Sequence, residues 1–97
     1  MDYDFEWDPI KAKKNLTKHG VRFETAATVF KDPKAITIPD EDHSETEERW
    51  MTLGVCSTGG LLVVVHTFKS ITQNQMLIRI ISGRKADKKE TSSYQEG

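Results

Sequence analysis

The side chains in this sequence that could do chemistry are three histidines, one cysteine, a run of carboxylates and two basic stretches. His19, His43 and His66 are scattered, Cys56 stands alone, and no histidine pair is spaced i, i+4. That pattern carries no metal-ligand signature, and neither a metal nor another cofactor is expected. Gly54, Gly59 and Gly60 belong to a hairpin rather than a phosphate loop, and no serine sits in a nucleophile elbow. What remains suits one reaction that needs no cofactor. Cutting RNA takes a base for the 2′-hydroxyl proton, a cation for the phosphorane charge and an acid for the leaving oxygen. The RNA supplies its own nucleophile, so a few side chains suffice.

Each candidate has two readings. Arg79 stands between Ile78 and Ile80, and strand alternation puts it on a face with Leu77 and Ile81. It either pairs with Glu48 or Glu6 or points into a groove. Arg84 and Lys85 follow that strand and precede a terminal helix, where cations oppose the helix dipole; contact with phosphate would explain the placement, a solvated helix start would not need it. Histidine changes charge near neutral pH, which makes His19 an acid–base candidate. It shares a helix face with Leu16 and Ala12, so a half-buried histidine bonded to Asn15 or a carbonyl is its other reading. Glu47, Glu48 and Arg49 lead into a strand, as a base with its orienting cation or as a solvated edge. His43 reads as an exposed histidine in an acidic loop. Tyr94 packs by default, and Trp7 and Trp50 are core aromatics unless one stacks on a base.

The elements that must position these groups follow from pattern. Tyr3 to Trp7 alternates aromatic and acidic residues as a short strand. Asp8 caps a helix, Pro9 takes its first turn, and Gly20 stops it after His19. Phe23, Ala26, Ala27 and Phe30 form the apolar stripe of a second helix, ended by Asp32-Pro33. Ala35 to Ile38 reads as a strand, and the acidic stretch to Glu47 as a loop or single turn. Strands follow at Arg49 to Cys56, Leu61 to Thr67 and Leu77 to Ser82. They are joined by turns at Ser57 to Gly60 and Ser70 to Gln75, and a helix from Lys85 to Tyr94 closes the chain. The order β-α-α-β-β-β-β-α predicts an α+β fold, an antiparallel meander with helices on one face.

Ninety-seven residues make one domain, 1–97, and 36% hydrophobic residues are enough for one core. The longest apolar run, Leu61 to Val65, is too short to span a bilayer, and the acidic Met1 to Asp4 is unlike a secretory signal. A lone cysteine fits a reducing compartment, so a cytoplasmic protein without a membrane role is expected. Net charge is −1, which argues against a coat on nucleic acid, but the distribution is uneven. Five basic residues and no acid lie from Lys11 to Arg22, six acids from Asp40 to Glu48, and five basic residues against two acids from Arg79 to Glu90. If folding joins the two basic segments, a polyanion can bind one face.

Taken in order, the segments resemble BrnT-type toxins. The resemblance runs through Phe5-Glu6-Trp7-Asp8, Lys11-Ala12, Asn15, Lys18-His19-Gly20-Val21, Phe23-Glu24 and Ala26. It continues in Val29-Phe30, Asp32-Pro33, His43-Ser44, Glu47-Glu48-Arg49, Gly54, Ser57 and Gly59. It ends in Ile78-Arg79-Ile80-Ile81-Ser82, Arg84-Lys85-Ala86, Glu90 and Tyr94, and so covers nearly the whole chain. It implies a RelE-like fold and a metal-independent endoribonuclease that inhibits translation. It also implies a BrnA-type antitoxin, a ribbon-helix-helix protein that neutralises the toxin and carries the complex to operator DNA. Gly60 and Lys69 stand where the resemblance leads one to expect arginine, and lysine lacks arginine's bidentate fork.

The predicted site has Arg79 and Arg84 on the scissile phosphate, His19 or Glu48 as base, and Lys14, Lys18, Lys85, Arg49 and Tyr94 on the RNA. It lies in a cleft between the final strand and the first and last helices. The alternative is a binding module that holds the antitoxin and helps it repress, with the acidic 40–48 segment meeting a basic antitoxin surface.

Overall fold

The computed structural model describes residues 2–43 and 47–97; the side chain of His43, and Ser44 and Glu45 of the acidic segment, lie outside the described residues. The chain begins with strand β1, Asp2–Glu6. Helix α1 covers Pro9–His19, with the Asp8 carboxylate accepting the Ile10 N–H at 2.9 Å and Pro9 in the first turn. Gly20 ends it at φ 70°, a left-handed conformation that glycine adopts without Cβ strain.

Helix α2 covers Phe23–Ala27 and then tightens into a 3-10 turn over Thr28–Lys31. The expected single helix to Phe30 is therefore two pieces. Winding at three residues per turn brings Val29 fully into the core and leaves Phe30 half-buried. Next come β2 (Ile36–Pro39), a 3-10 turn at Glu41–His43, β3 (Trp50–Val55), β4 (Leu61–Thr72), β5 (Gln75–Lys85) and helix α3 (Lys88–Glu96). The element order is the expected one, in a mixed α+β fold.

The five strands lie in the order β1-β5-β4-β3-β2. From β2 to β5 they form the antiparallel meander that short turns dictate. β1 returns beside β5 in parallel, with Phe5 opposite Ile78 and Glu6 opposite Arg79. The β4–β5 hairpin is longer than its hydrophobic pattern, because pairing continues through exposed polar residues to Thr72 opposite Gln75. α3 starts later than expected. Asp87 and Glu90 form a capping box, so Arg84 and Lys85 are residues of β5 and not the leading turn of a helix.

The two faces of the sheet carry different layers. Val21, Phe23, Ala26 and Val29 pack against Leu62, Val64, Ile78 and Ile80 to make the core under α1 and α2. Gly83 permits that close approach, since a Cβ there would stand 3.2 Å from the Cβ of Ala26. Buried Asn15 stitches the layers together. Its amide donates to the carbonyls of Val21 and Gly83 at 2.9 Å each and accepts the Gly83 N–H at 3.1 Å. α3 lies on the opposite face, over Ile36, Leu53 and Val63. The expectation of helices on one face is corrected: β5 passes between α1 and α3.

One irregularity in β5 governs the layout. Val65 pairs with Ser82 but His66 with Ile80, which leaves Ile81 as an inserted residue. Arg79 and Arg84 are five positions apart, an odd spacing that would send them to opposite faces of a regular strand. The bulge restores parity. Both now point away from α1 and α2, opposite Thr67 and Val63 of β4.

Candidate functional site

Arg79 stands in a groove of about 240 Å³ whose walls include Glu6, Glu47, Glu48, Thr67 and Lys69. Its Nε lies 3.7 Å from Glu6 and its Nη1 3.4 Å from Glu47, and all three side chains are about half exposed, at 51%, 48% and 45%. Lys69 sits diagonally across the β4–β5 ladder from Arg79. On the other flank of Arg79 a second hollow reaches Asp8 and Lys11 at the start of α1. Such long, solvated pairs contribute roughly 0–1 kcal/mol each, so an incoming phosphate can displace a carboxylate from the guanidinium. Glu48 is the wall carboxylate for which no pairing with Arg79 is seen among the described residues.

Arg84 is held differently. Nη1 and Nη2 each donate to one oxygen of Glu90 at 2.8 Å, and Glu90 Oε1 also accepts the Asp87 N–H at 3.0 Å. The fork raises the guanidinium's pKa, against partial burial, and holds Glu90 below the usual carboxylate range. Arg84 and Arg79 share the face away from α1 and α2, which is open beyond α3, but lie roughly 15 Å apart along the strand. Tyr94 hydrogen-bonds to Asp32 at 2.5 Å, and that carboxylate also accepts the N–H groups of Val55 and Lys34. The hydrogen bond from Tyr94 lowers the Asp32 pKa, and the same contact raises that of Tyr94.

A hollow of about 550 Å³ lies at the end of β5, between α1, α2 and α3. Lys85 lines it together with Arg22, Thr25, Thr58 and Thr91, over a floor that includes Leu16, Val21 and Leu62. Cys56 joins that lining. Burial works to raise its thiol, but hydrogen bonds from the Thr58 side chain and the turn backbone outweigh it and hold the pKa below the ordinary value.

His19 is half-buried at the end of α1, next to Gly20 of this hollow. The Asn15 amide is occupied by Val21 and Gly83, so of the alternative reading, a half-buried histidine bonded to Asn15 or a carbonyl, the half-burial is seen and the Asn15 bond is not. Lys14 and Lys18 are exposed on α1, and half-buried Arg49 uses its carbonyl to accept the Asp40 N–H.

The structure therefore gathers Arg79 and Glu48 in one groove, with Lys69, Glu6 and Glu47. Arg84 stands farther along the same face, Lys85 lines the strand-end hollow, and His19 adjoins that hollow through Gly20 without lining it. Two further groups carry little signal in the sequence. Arg22 read only as one of a basic series, and nothing in its spacing marks it as a cavity wall. His66 read as a stray histidine, yet it is fully buried between Phe30 and Phe68, with Nε2 2.6 Å from Thr52 Oγ1. Its position two residues from both Val64 and Phe68 was the available signal for an inward-facing side chain. Burial pushes its pKa down to about 4. Among the described residues no group of three His, Cys, Asp or Glu side chains could hold a metal ion, and no helix is long and apolar enough to cross a membrane.

A family model described as ribonuclease toxin, BrnT, of type II toxin–antitoxin system matches residues 7–90. Among solved structures, the 1.1 Å crystal structure of the Brucella abortus ribonuclease toxin, BrnT, matches at a TM-score of 0.61. The match covers 91% of this chain and 100% of that one at 22% identity, and it shows a shared fold. No curated protein matches the chain.

Proposed function

Because the chain belongs to the BrnT family of ribonuclease toxins of type II toxin–antitoxin systems, we propose that it is itself a metal-independent endoribonuclease that arrests translation in the cytoplasm. The observation that carries this reading is the Arg79 groove. There a loosely paired guanidinium, an ammonium and a carboxylate without a seen partner share one hollow on the open face.

In the proposed reaction the scissile phosphate replaces Glu6 and Glu47 at the Arg79 guanidinium. Glu48 accepts the proton of the 2′-hydroxyl, whose oxygen attacks phosphorus. Arg79 and Lys69 stabilise the charge that builds on the phosphorane. The 5′-oxygen leaves with a proton taken from solvent, Glu48 returns its own to solvent, and the product end is a 2′,3′-cyclic phosphate. Arg84 contacts the chain farther along the same face, with Lys14, Lys18, Lys85, Arg49 and Tyr94 as outer contacts. His19 is the rival base. It stands eight residues along α1 from Lys11, roughly 12 Å from the Arg79 end of that helix.

The partner implied by a type II system is an antitoxin. The finer proposal is a BrnA-type ribbon-helix-helix protein that masks the groove and alone contacts operator DNA. A second reading has one specific support: both open-face arginines already hold carboxylates, Arg84 bidentately. On that reading the chain is a weak or inactive toxin kept to bind the antitoxin.

Induced expression in a bacterium, with RNA ends mapped by primer extension, separates the two. Growth arrest with new 5′ ends, retained when purified protein cuts RNA in EDTA and lost in Arg79→Ala and Glu48→Gln, supports the ribonuclease. Loss in His19→Gln with Glu48→Gln active moves the base to His19. Normal growth with intact RNA from folded protein establishes the binding module.

A further inference from the structure

The strand-end hollow has a chemistry distinct from the groove. Its walls carry two cations, Arg22 and Lys85, and three hydroxyl residues, Thr25, Thr58 and Thr91, with no carboxylate among its lining residues. Both cations are exposed, and neither makes an ion pair among the described residues. The groove around Arg79 has the opposite character, with three carboxylates on its walls. In a chain of net charge −1 an unneutralised pair of cations facing one hollow marks a preference for an anion.

The remaining walls limit what that anion belongs to. Leu16, Leu61 and Ala86 give the hollow a half-buried apolar side, with Val21 and Leu62 of the core beneath it, and the volume of about 550 Å³ falls in the range of small-molecule sites. The pieces that frame it are fixed. Asn15 bonds Val21 to Gly83, Thr28 Oγ1 accepts the Ser57 N–H at 2.8 Å, and Ala86 N–H donates to the Leu61 carbonyl at 3.0 Å.

We infer that this hollow is a nucleoside-phosphate site, with Arg22 and Lys85 holding the phosphate and the half-buried side of Leu16, Leu61 and Ala86 packing the base. Its ligand is either a free nucleotide or one residue of an RNA chain bound outside the cleavage groove. The site does not require that the chain cut RNA.

The test is a titration followed by two-dimensional amide NMR, with three probes: inorganic phosphate, 5′-AMP, and a 2′-O-methyl oligoribonucleotide of five residues that lacks the attacking hydroxyl. Saturable shifts at Arg22, Gly60, Ala86 and Thr91 are expected for 5′-AMP, with weaker binding of phosphate alone. Arg22→Glu and Lys85→Glu should each weaken 5′-AMP at least tenfold, while Lys13→Glu, the same charge change on the exposed part of α1, leaves it unaltered. Tighter binding of the oligomer, with shifts extending to Lys69 and Arg79, assigns the site to an RNA chain. Equal or tighter binding of 5′-AMP assigns it to a free nucleotide. Absence of saturable shifts, or equal weakening by Lys13→Glu, overturns the inference. Cleavage assays on Arg22→Glu are read separately, so loss of the nucleotide site and failure of the ribonuclease reading are distinguishable.

Discussion

At the residue scale, two buried polar side chains are expected to govern stability. His66 sits at 0% exposure, edge-on to the rings of Phe30 and Phe68, and Thr52 joins it to Thr37 in a hydroxyl chain that ends at the surface. Its folded pKa of about 4 lies below the unfolded value near 6.5, so the unfolded chain binds the proton first as pH falls. Its contribution is complete above pH 6.5 and declines between pH 6.5 and 4, by about 3 kcal/mol in all. Asp32 and Glu90 have depressed values and cost stability only at lower pH. Urea unfolding at pH 7 and 4.5 should show this loss in the wild type and a flatter profile in His66→Gln; parallel profiles would place the titration elsewhere. Asn15 makes three bonds to Val21 and Gly83, and removing them leaves three buried backbone groups unpaired. Asn15→Ala is expected to lower stability by about 2–4 kcal/mol, and an unchanged melting temperature would mean that the layers do not depend on this stitch.

At the scale of elements, α3 is the piece held most loosely. None of its residues is buried, and its attachment rests on the Tyr94–Asp32 hydrogen bond and the Arg84–Glu90 fork. Tyr94→Phe removes that hydrogen bond and should speed amide exchange in residues 91–95 severalfold without affecting β4. Exchange that rises equally in β4 would show that α3 opens only when the whole domain does. The same helix marks how far sequence pattern reaches. Asp8-Pro9, Gly20 and the Ser57–Gly60 turn identify themselves through backbone chemistry, so α1 and the meander were legible. The α3 start was legible too, in Asp87 and Glu90, but the cations before them drew attention from the capping box. The Ile81 bulge was not, because Ile80 and Ile81 are equally apolar and pairing with β4 alone decides which is inserted. The parallel return of β1 likewise depends on a partner most of the chain away.

At the scale of the whole molecule, the near-neutral total conceals an unequal distribution, and salt dependence can resolve which part of it meets RNA. Each phosphate neutralised on a single strand contributes about −0.7 to the slope of log K against log salt. Arg79 and Lys69 in the groove, with Arg22 and Lys85 in the strand-end hollow, give four contacts and a slope of about −3. Participation of Lys11, Lys14 and Lys18 on α1 would raise it to about −5. Binding of a 2′-O-methyl RNA measured from 50 to 200 mM salt distinguishes these directly. A slope near −3 that falls by about 1.4 in the Arg22→Glu, Lys85→Glu double variant means that the two hollows act on one strand. A slope of about −3.5 that the double variant leaves unchanged, as Arg79, Lys69 and the three α1 lysines would give, transfers the RNA to the lysine face of α1 and leaves the strand-end hollow to a free nucleotide. A slope near zero means that phosphate is not gripped at all. The carboxylates around Arg79 would then be its permanent partners, and the open face would serve to hold the antitoxin.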